Sequence, residues 1–139
     1  MKKYELLEHR ADVLFEAGGK SFEEALENAA QALFETIADP KKVGRGVEAS
    51  VEEKAGSLEE LAVLTLAKLL TESDVSECFF KRFRVIQFKK TQDGYSVKGT
   101  AEGGPMSREA GRTCVKAVTH HEARVTHAKD WKIRILLDI

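Results

Sequence analysis

The chain is 139 residues long, the size of one ordinary domain, with 42% hydrophobic and 32% charged residues. That balance supports a buried core under a solvated surface and excludes wholesale disorder. Its 22 basic and 23 acidic side chains leave a formal net charge of -1, without the cation surplus of a stand-alone nucleic-acid binder, and two cysteines are too few for a disulfide framework.

The expectation is a single domain over residues 1–139. The start, Met1-Lys2-Lys3-Tyr4-Glu5, has no apolar stretch to act as a signal peptide. The longest apolar runs, such as Leu61 to Leu64, fall far short of the roughly 20 residues that span a membrane. A soluble, cytoplasmic protein is therefore expected. Tyr4 to Glu8 reads as a short strand. Val13, Phe15 and Ala17 then alternate with Leu14 and Glu16 as far as Gly18-Gly19.

From Phe22 the apolar positions recur at three-four spacing through Ala25, Leu26, Ala29, Leu33 and Ile37, one face of a helix. Ser21 with Glu24 forms a capping box at its start, and Asp39-Pro40 stops it. Val47 to Glu53 is a weaker strand. A second helix opens in the same way, with Ser57 and Glu60, and carries Leu58, Leu61, Ala62, Thr65 and Leu69 on one stripe. Phe79 to Phe88 pairs with an alternating strand from Tyr95 to Ala101 across Asp93-Gly94, a hairpin signal. Thr119 to Thr126 is a weaker strand. The last nine residues alternate most clearly, with Trp131, Ile133, Ile135, Leu137 and Ile139 on one face. The fold class expected is α+β: two layers, with two main helices packed on a mostly antiparallel or mixed sheet.

Few of the motifs carry chemistry. Gly44-Arg45-Gly46 lacks the third glycine and preceding strand of a dinucleotide loop, and there is no Walker sequence. His120, His121, His127 and Cys114 match no tight zinc-ligand spacing, and Cys114 beside Val115 reads as a small apolar filler. Two carboxylates stand out. Asp12 sits where a strand begins, a position usual for a turn or cap residue. Asp138 ends a very apolar strand, and a charge there must lie at the sheet's end or meet a cation. If the first and last segments are neighbours, the two carboxylates with main-chain oxygens form an all-oxygen site suited to calcium or magnesium rather than zinc.

Several segments together resemble the archease family. They are Glu8-His9-Arg10-Ala11-Asp12 with Gly18, the helix ending Ala29-Ala30-Gln31-Ala32-Leu33-Phe34, the block Val115-Lys116-Ala117-Val118-Thr119-His120-His121-Glu122, and the closing Trp131 to Asp138-Ile139. The likeness runs in order along nearly the whole chain. It implies a small partner protein of an RtcB-type RNA ligase in tRNA splicing, which promotes guanylylation of the ligase's active-site histidine and repeated turnover. Contact with tRNA would come indirectly, through the ligase. It also implies that Asp12 and Asp138, with main-chain oxygen from Ile139, hold a divalent metal: calcium first, with magnesium and manganese as alternatives. Lys116, His9 and His121 would be further functional positions. The chain departs from the family pattern in having Glu109-Ala110-Gly111 where a histidine is usual, Cys114 where glutamate is common, and His120 in place of tyrosine. Two other readings stay open. One is a small metal-dependent hydrolase with His121 as base; the other is a chaperone or interaction module.

Overall fold

The computed structural model of the chain describes residues 3–7 and 12–139. In chain order the elements are β1 (Tyr4–Leu7), β2 (Asp12–Gly19), α1 (Phe22–Ile37), β3 (Val47–Ala55), α2 (Leu58–Val75), β4 (Cys78–Thr91), β5 (Gly94–Pro105), β6 (Ala117–His127) and β7 (Trp131–Asp138). A single 3-10 turn, Pro40–Lys42, follows α1. This is the expected α+β class, with two long helices and antiparallel strand pairing throughout. The strands divide between two sheets, of order β1-β2-β7-β6 and β3-β5-β4.

Local sequence accounts for both helix starts. The Ser21 hydroxyl accepts from the Glu24 amide at 3.1 Å, and the Ser57 hydroxyl from the Glu60 amide at 3.1 Å. The return arm of the first box is displaced by one residue: the Glu24 carboxylate accepts from the amide of Lys20 at 3.4 Å, not from that of Ser21. Helix α1 stops where Ala38 turns extended, ahead of Asp39-Pro40.

Each helix packs against both sheets, α1 on β2, β7 and β4, and α2 on β6, β3, β4 and β5. Their apolar faces meet the inward sides of the strands in one core that includes Phe15, Leu26, Leu33, Leu61, Leu69 and Ile135. The helices also seal two sheet edges. Glu27 of α1 accepts from the amide of Val85 on edge strand β4 at 2.9 Å, beside a break in register at Ile86. Glu59 of α2 accepts from the amide of Val125 on edge strand β6 at 3.2 Å. An edge amide that ends on a helix carboxylate is no longer available to pair with another chain.

The β4–β5 hairpin turns at Gln92-Asp93, one residue earlier than the sequence pattern suggests, and Gly94 opens β5 with φ of +140°. Only glycine takes that backbone without strain. Gly99 has a different reason to be glycine: a Cβ there would lie 2.5 Å from the Phe83 ring, which covers it on the inner face.

Tyr4 ties β1 to α1. Its hydroxyl donates to Glu35 Oε1 at 2.8 Å, while Gln31 donates to Oε2 at 2.9 Å. Burial, and then the hydrogen bond and charge of Glu35, push the Tyr4 phenol up to about 12. The folded state thus holds its proton where the unfolded chain has lost it, so this contribution is complete below pH 10 and disappears as pH rises through about 12. Ultraviolet titration should find one of the two tyrosines ionising late, and Tyr4→Phe should abolish that step; a late step that survives the substitution would contradict this account. Glu27→Ala should cost about 1–3 kcal/mol by orphaning the Val85 amide, with Glu27→Gln recovering part of the loss. A chemical denaturation series checks this, and a loss below about 0.5 kcal/mol would mean the contact does not stabilise the edge.

Candidate functional site

The pairing of β2 with β7 runs unbroken through eight residue pairs, from Gly19 opposite Trp131 to Asp12 opposite Asp138. Directly opposed residues of an antiparallel pair share a sheet face, with Cβ atoms about 4.5–5.5 Å apart. The two carboxylates singled out in the sequence therefore stand side by side at the end of the two central strands. Asp12 is half-buried and Asp138 exposed.

Two residues along on the same face, Leu14 opposes Leu136, and both are buried at 5% and 4% exposure. Next comes Glu16 opposite Arg134, joined by two contacts of 3.0 and 3.2 Å from the guanidinium to Glu16 Oε2. The face thus reads acidic pair, apolar pair, ion pair. The leucines exclude water from one side of the acidic pair, which strengthens any interaction made there.

Beside Asp138 on its other flank lies Ala117 of β6, and the Lys116 amide donates to the Asp138 carbonyl at 2.7 Å. Lys116 is exposed at the entry to β6. Ile139 follows directly, half-buried against the core, so its main-chain oxygen is one residue from the pair. Asp12, Asp138, Ile139 and the main chain of Lys116 are thus gathered in one place. His9 lies outside the described residues. His121 stands farther along β6, exposed, where residues 120–123 bulge out of register with β7 and Glu122 adopts φ of +59°.

As a donor set, two opposed carboxylates with nearby main-chain oxygens offer hard oxygen ligands, the chemistry of calcium or magnesium. Among the described residues no group of three or more His, Cys, Asp or Glu side chains is placed to hold a metal. The described side chains alone therefore supply too few ligands for the six to eight oxygens calcium takes, and further oxygens must complete the shell. The zinc grouping is not assembled either: His127 stacks on Trp131 at 4.0 Å between ring centroids, at the far end of β6 from Cys114. Cys114 is exposed, and the buried filler is its neighbour Val115. Cys114 instead lines a cavity of about 270 Å³ with Ile37, Leu70, Phe79 and Met106.

One positioning residue gave no signal in the sequence. Arg112 donates to the Glu35 carbonyl at 2.9 Å and pairs with Asp39 at 3.6 Å, while its own amide donates to the Ile37 carbonyl at 2.8 Å. Helix α1 has no basic residue in its last turn, and Arg112 brings that charge to its C-terminal carbonyls. The contact anchors the segment leading to Lys116.

The Archease protein family model (MTH1598/TM1083) matches residues 4–139. The chain belongs to the archease family. Relatives include archeases from Methanosarcina barkeri, 37% identical over 99% of this chain and 97% of that protein, and from Pyrococcus abyssi, 34% identical over the whole of both. The solution structure of Methanobacterium thermoautotrophicum protein 1598 is 33% identical and superposes over the full length of both chains with a TM-score of 0.86. The crystal structure of an archease from Thermotoga maritima, at 21% identity and a TM-score of 0.61 over 96% of this chain and 94% of that one, shares the fold. At the positions where this archease departs from the family pattern, Ala110 is a packing residue, buried against Ala38, Val43 and Phe79, whereas Cys114 and His120 are exposed.

Like charges set directly opposite on a sheet destabilise it by about 0.2–1 kcal/mol. Asp138→Asn should therefore raise the melting temperature of the metal-free protein slightly. Added calcium should reverse the order, since a cation at one hundred times its Kd stabilises only the chain that binds it, by about 2.7 kcal/mol. Thermal melts with chelator and with calcium check this. Equal calcium shifts in both proteins would remove Asp138 from the site.

Proposed function

We propose that this protein is a non-catalytic, divalent-cation-binding activator of an RtcB-type RNA ligase in tRNA splicing, acting in the cytoplasm. The observation that carries the reading is the register that sets Asp12 opposite Asp138, with Lys116 hydrogen-bonded to the main chain of the same residue. A divalent cation bound there, calcium before magnesium or manganese, supplies a compact positive charge. Asp12 and Asp138 hold it through their carboxylates and Ile139 through a main-chain oxygen. Lys116 stands alongside with an exposed ammonium that can meet a phosphate oxygen of the nucleotide at the ligase's guanylylation site. His121 and His9 are secondary positions in this proposal. The exposure of Asp138 and Lys116 supports a role completed by docking, because a cation held at an exposed carboxylate keeps coordination positions for a partner's groups or a phosphate.

A second reading rests on a different feature. The Thermotoga maritima archease is described as a possible chaperone. The apolar cavity beneath the ends of the two helices, with Met106 at its mouth 39% exposed, suits capture of an apolar side chain of a client. A hydrolase built on the same carboxylates has less support, since His121 stands in the bulge and not beside the pair.

Guanylylation of the cognate ligase, followed with and without this protein under calcium, magnesium and manganese titration, separates the readings. The activator reading expects metal-dependent acceleration that Lys116→Ala abolishes with the melting temperature unchanged. Stimulation untouched by Lys116→Ala would return that lysine to an ordinary solvated position. Chelator-insensitive suppression of aggregation without stimulation would favour the chaperone.

A further inference from the structure

The chain's near-zero net charge hides a separation of sign. Three depressions lie along the outward face of the three-stranded sheet, β3-β5-β4, the largest of the three about 630 Å³ around Lys54, Lys89 and Lys98. Seven basic and four acidic residues line them, a surplus of three positive charges in a chain whose total is -1. The remainder of the molecule, with the carboxylate pair on the other sheet, is correspondingly acidic.

Strand register sets the order of these charges. Lys54, Ser96 and Lys89 lie in one row across the three strands, which places the two lysine stems about 10 Å apart over a serine floor. Glu52, Lys98 and Gln87 form the next row, then Ser50, Thr100 and Arg84. On this face Lys98 meets Glu52 at 4.0 Å and Arg82 meets Glu102 at 3.5 Å. Among the described residues Lys54, Arg84 and Lys89 have no carboxylate at ion-pair distance, and all three are exposed.

Among the described residues the lining of the depressions offers little to an apolar partner: its aliphatic side chains are Val47 and Ala55, and the Tyr95 ring is engaged in stacking on Phe88. Ile86, 66% exposed at the register break of β4, is a single apolar side chain outside that lining. Protein interfaces draw their energy from a desolvated apolar or aromatic centre, which this trough lacks. Exposed cations over a polar floor match instead an extended chain of phosphates, whose affinity comes from counterion release. Among the described residues no free aromatic ring lies on the face for bases to stack on, so contact is limited to the backbone and is indifferent to sequence.

We propose that the trough on the β3-β5-β4 sheet binds the phosphate backbone of a nucleic acid, with Lys54, Arg84 and Lys89 as its principal cations. This does not rest on the ligase activation proposed above, and its test contains neither ligase nor divalent metal. Fluorescence anisotropy of a labelled RNA hairpin, titrated with the full chain in chelator, should show binding that weakens linearly in log salt. Three phosphate contacts give a slope between about -2 and -3, or roughly twenty- to fortyfold weaker binding for a fourfold rise in salt. Lys54→Glu with Lys89→Glu should weaken binding at least tenfold and flatten the slope, whereas Lys129→Glu with Lys132→Glu, in the β6–β7 turn and on β7 of the other sheet, should change it less than twofold. Melting temperatures establish that both double variants fold, and the salt slope of the unaltered chain tests the proposal without any variant. Binding insensitive to salt, or unchanged by the trough reversals, would overturn it. So would displacement of the RNA by poly-glutamate at equal charge concentration, which would make the face a site for an acidic protein segment.

Discussion

The pairing of the first long strand with the last governs the rest of the structure. Closing so long a loop is entropically costly, so the β2–β7 contact must be strongly favourable to hold. Burial provides this: Phe15 and Ala17 of β2, and Ile133, Ile135 and Leu137 of β7, all face the helices and are at most 1% exposed. Large side chains of this kind contribute about 1.5–3 kcal/mol each. A slip of one residue would turn that whole set toward solvent, so the register is fixed by the inner face. The outer face has to accept what the inner face dictates, including two aspartates opposite each other. Their repulsion, about 0.2–1 kcal/mol, is small beside the burial that enforces it. The fold thus sets two carboxylates directly opposite each other.

The same logic lets a nearly neutral chain carry a locally basic surface. A chain with almost equal numbers of acids and bases can still sort them by face, because strand periodicity assigns alternate residues to core and solvent. Here the core sides of both sheets are apolar. An acidic pair sits at the end of one sheet, whose outer face also carries Arg124, Lys132 and Arg134, and along the other lie Lys54, Arg84 and Lys89, with no carboxylate at ion-pair distance among the described residues.

What could be read from the sequence was local. Both helices were legible, because the three-four spacing and the Ser-x-x-Glu starts act within a few residues. The closing strand was equally plain from its alternation of Trp131, Ile133, Ile135 and Leu137. The division of the strands between two sheets was not legible, since pairing is set by contacts between distant segments and propensity is silent on partners. The bulge at residues 120–123 and the role of Arg112 were hidden for the same reason. Cys114 misled because residue type describes average burial, and its exposure follows from the path of one loop. Of the candidate site, Asp138 was visible as a charge ending an apolar strand and Asp12 as a carboxylate where a strand begins, but their facing arrangement required the strand order. His9 lies outside the described residues.

The central claim is that one cation is shared by two carboxylates brought together by strand register. Calorimetric titration of calcium into the native chain, Asp12→Asn, Asp138→Asn and the double variant tests it most directly. The account predicts a single site in the native protein, lost to the same extent in each single variant, with no further loss in the double, as expected for groups acting as one unit. Losses that are partial and add up in the double variant, or binding that persists in all four, would contradict it.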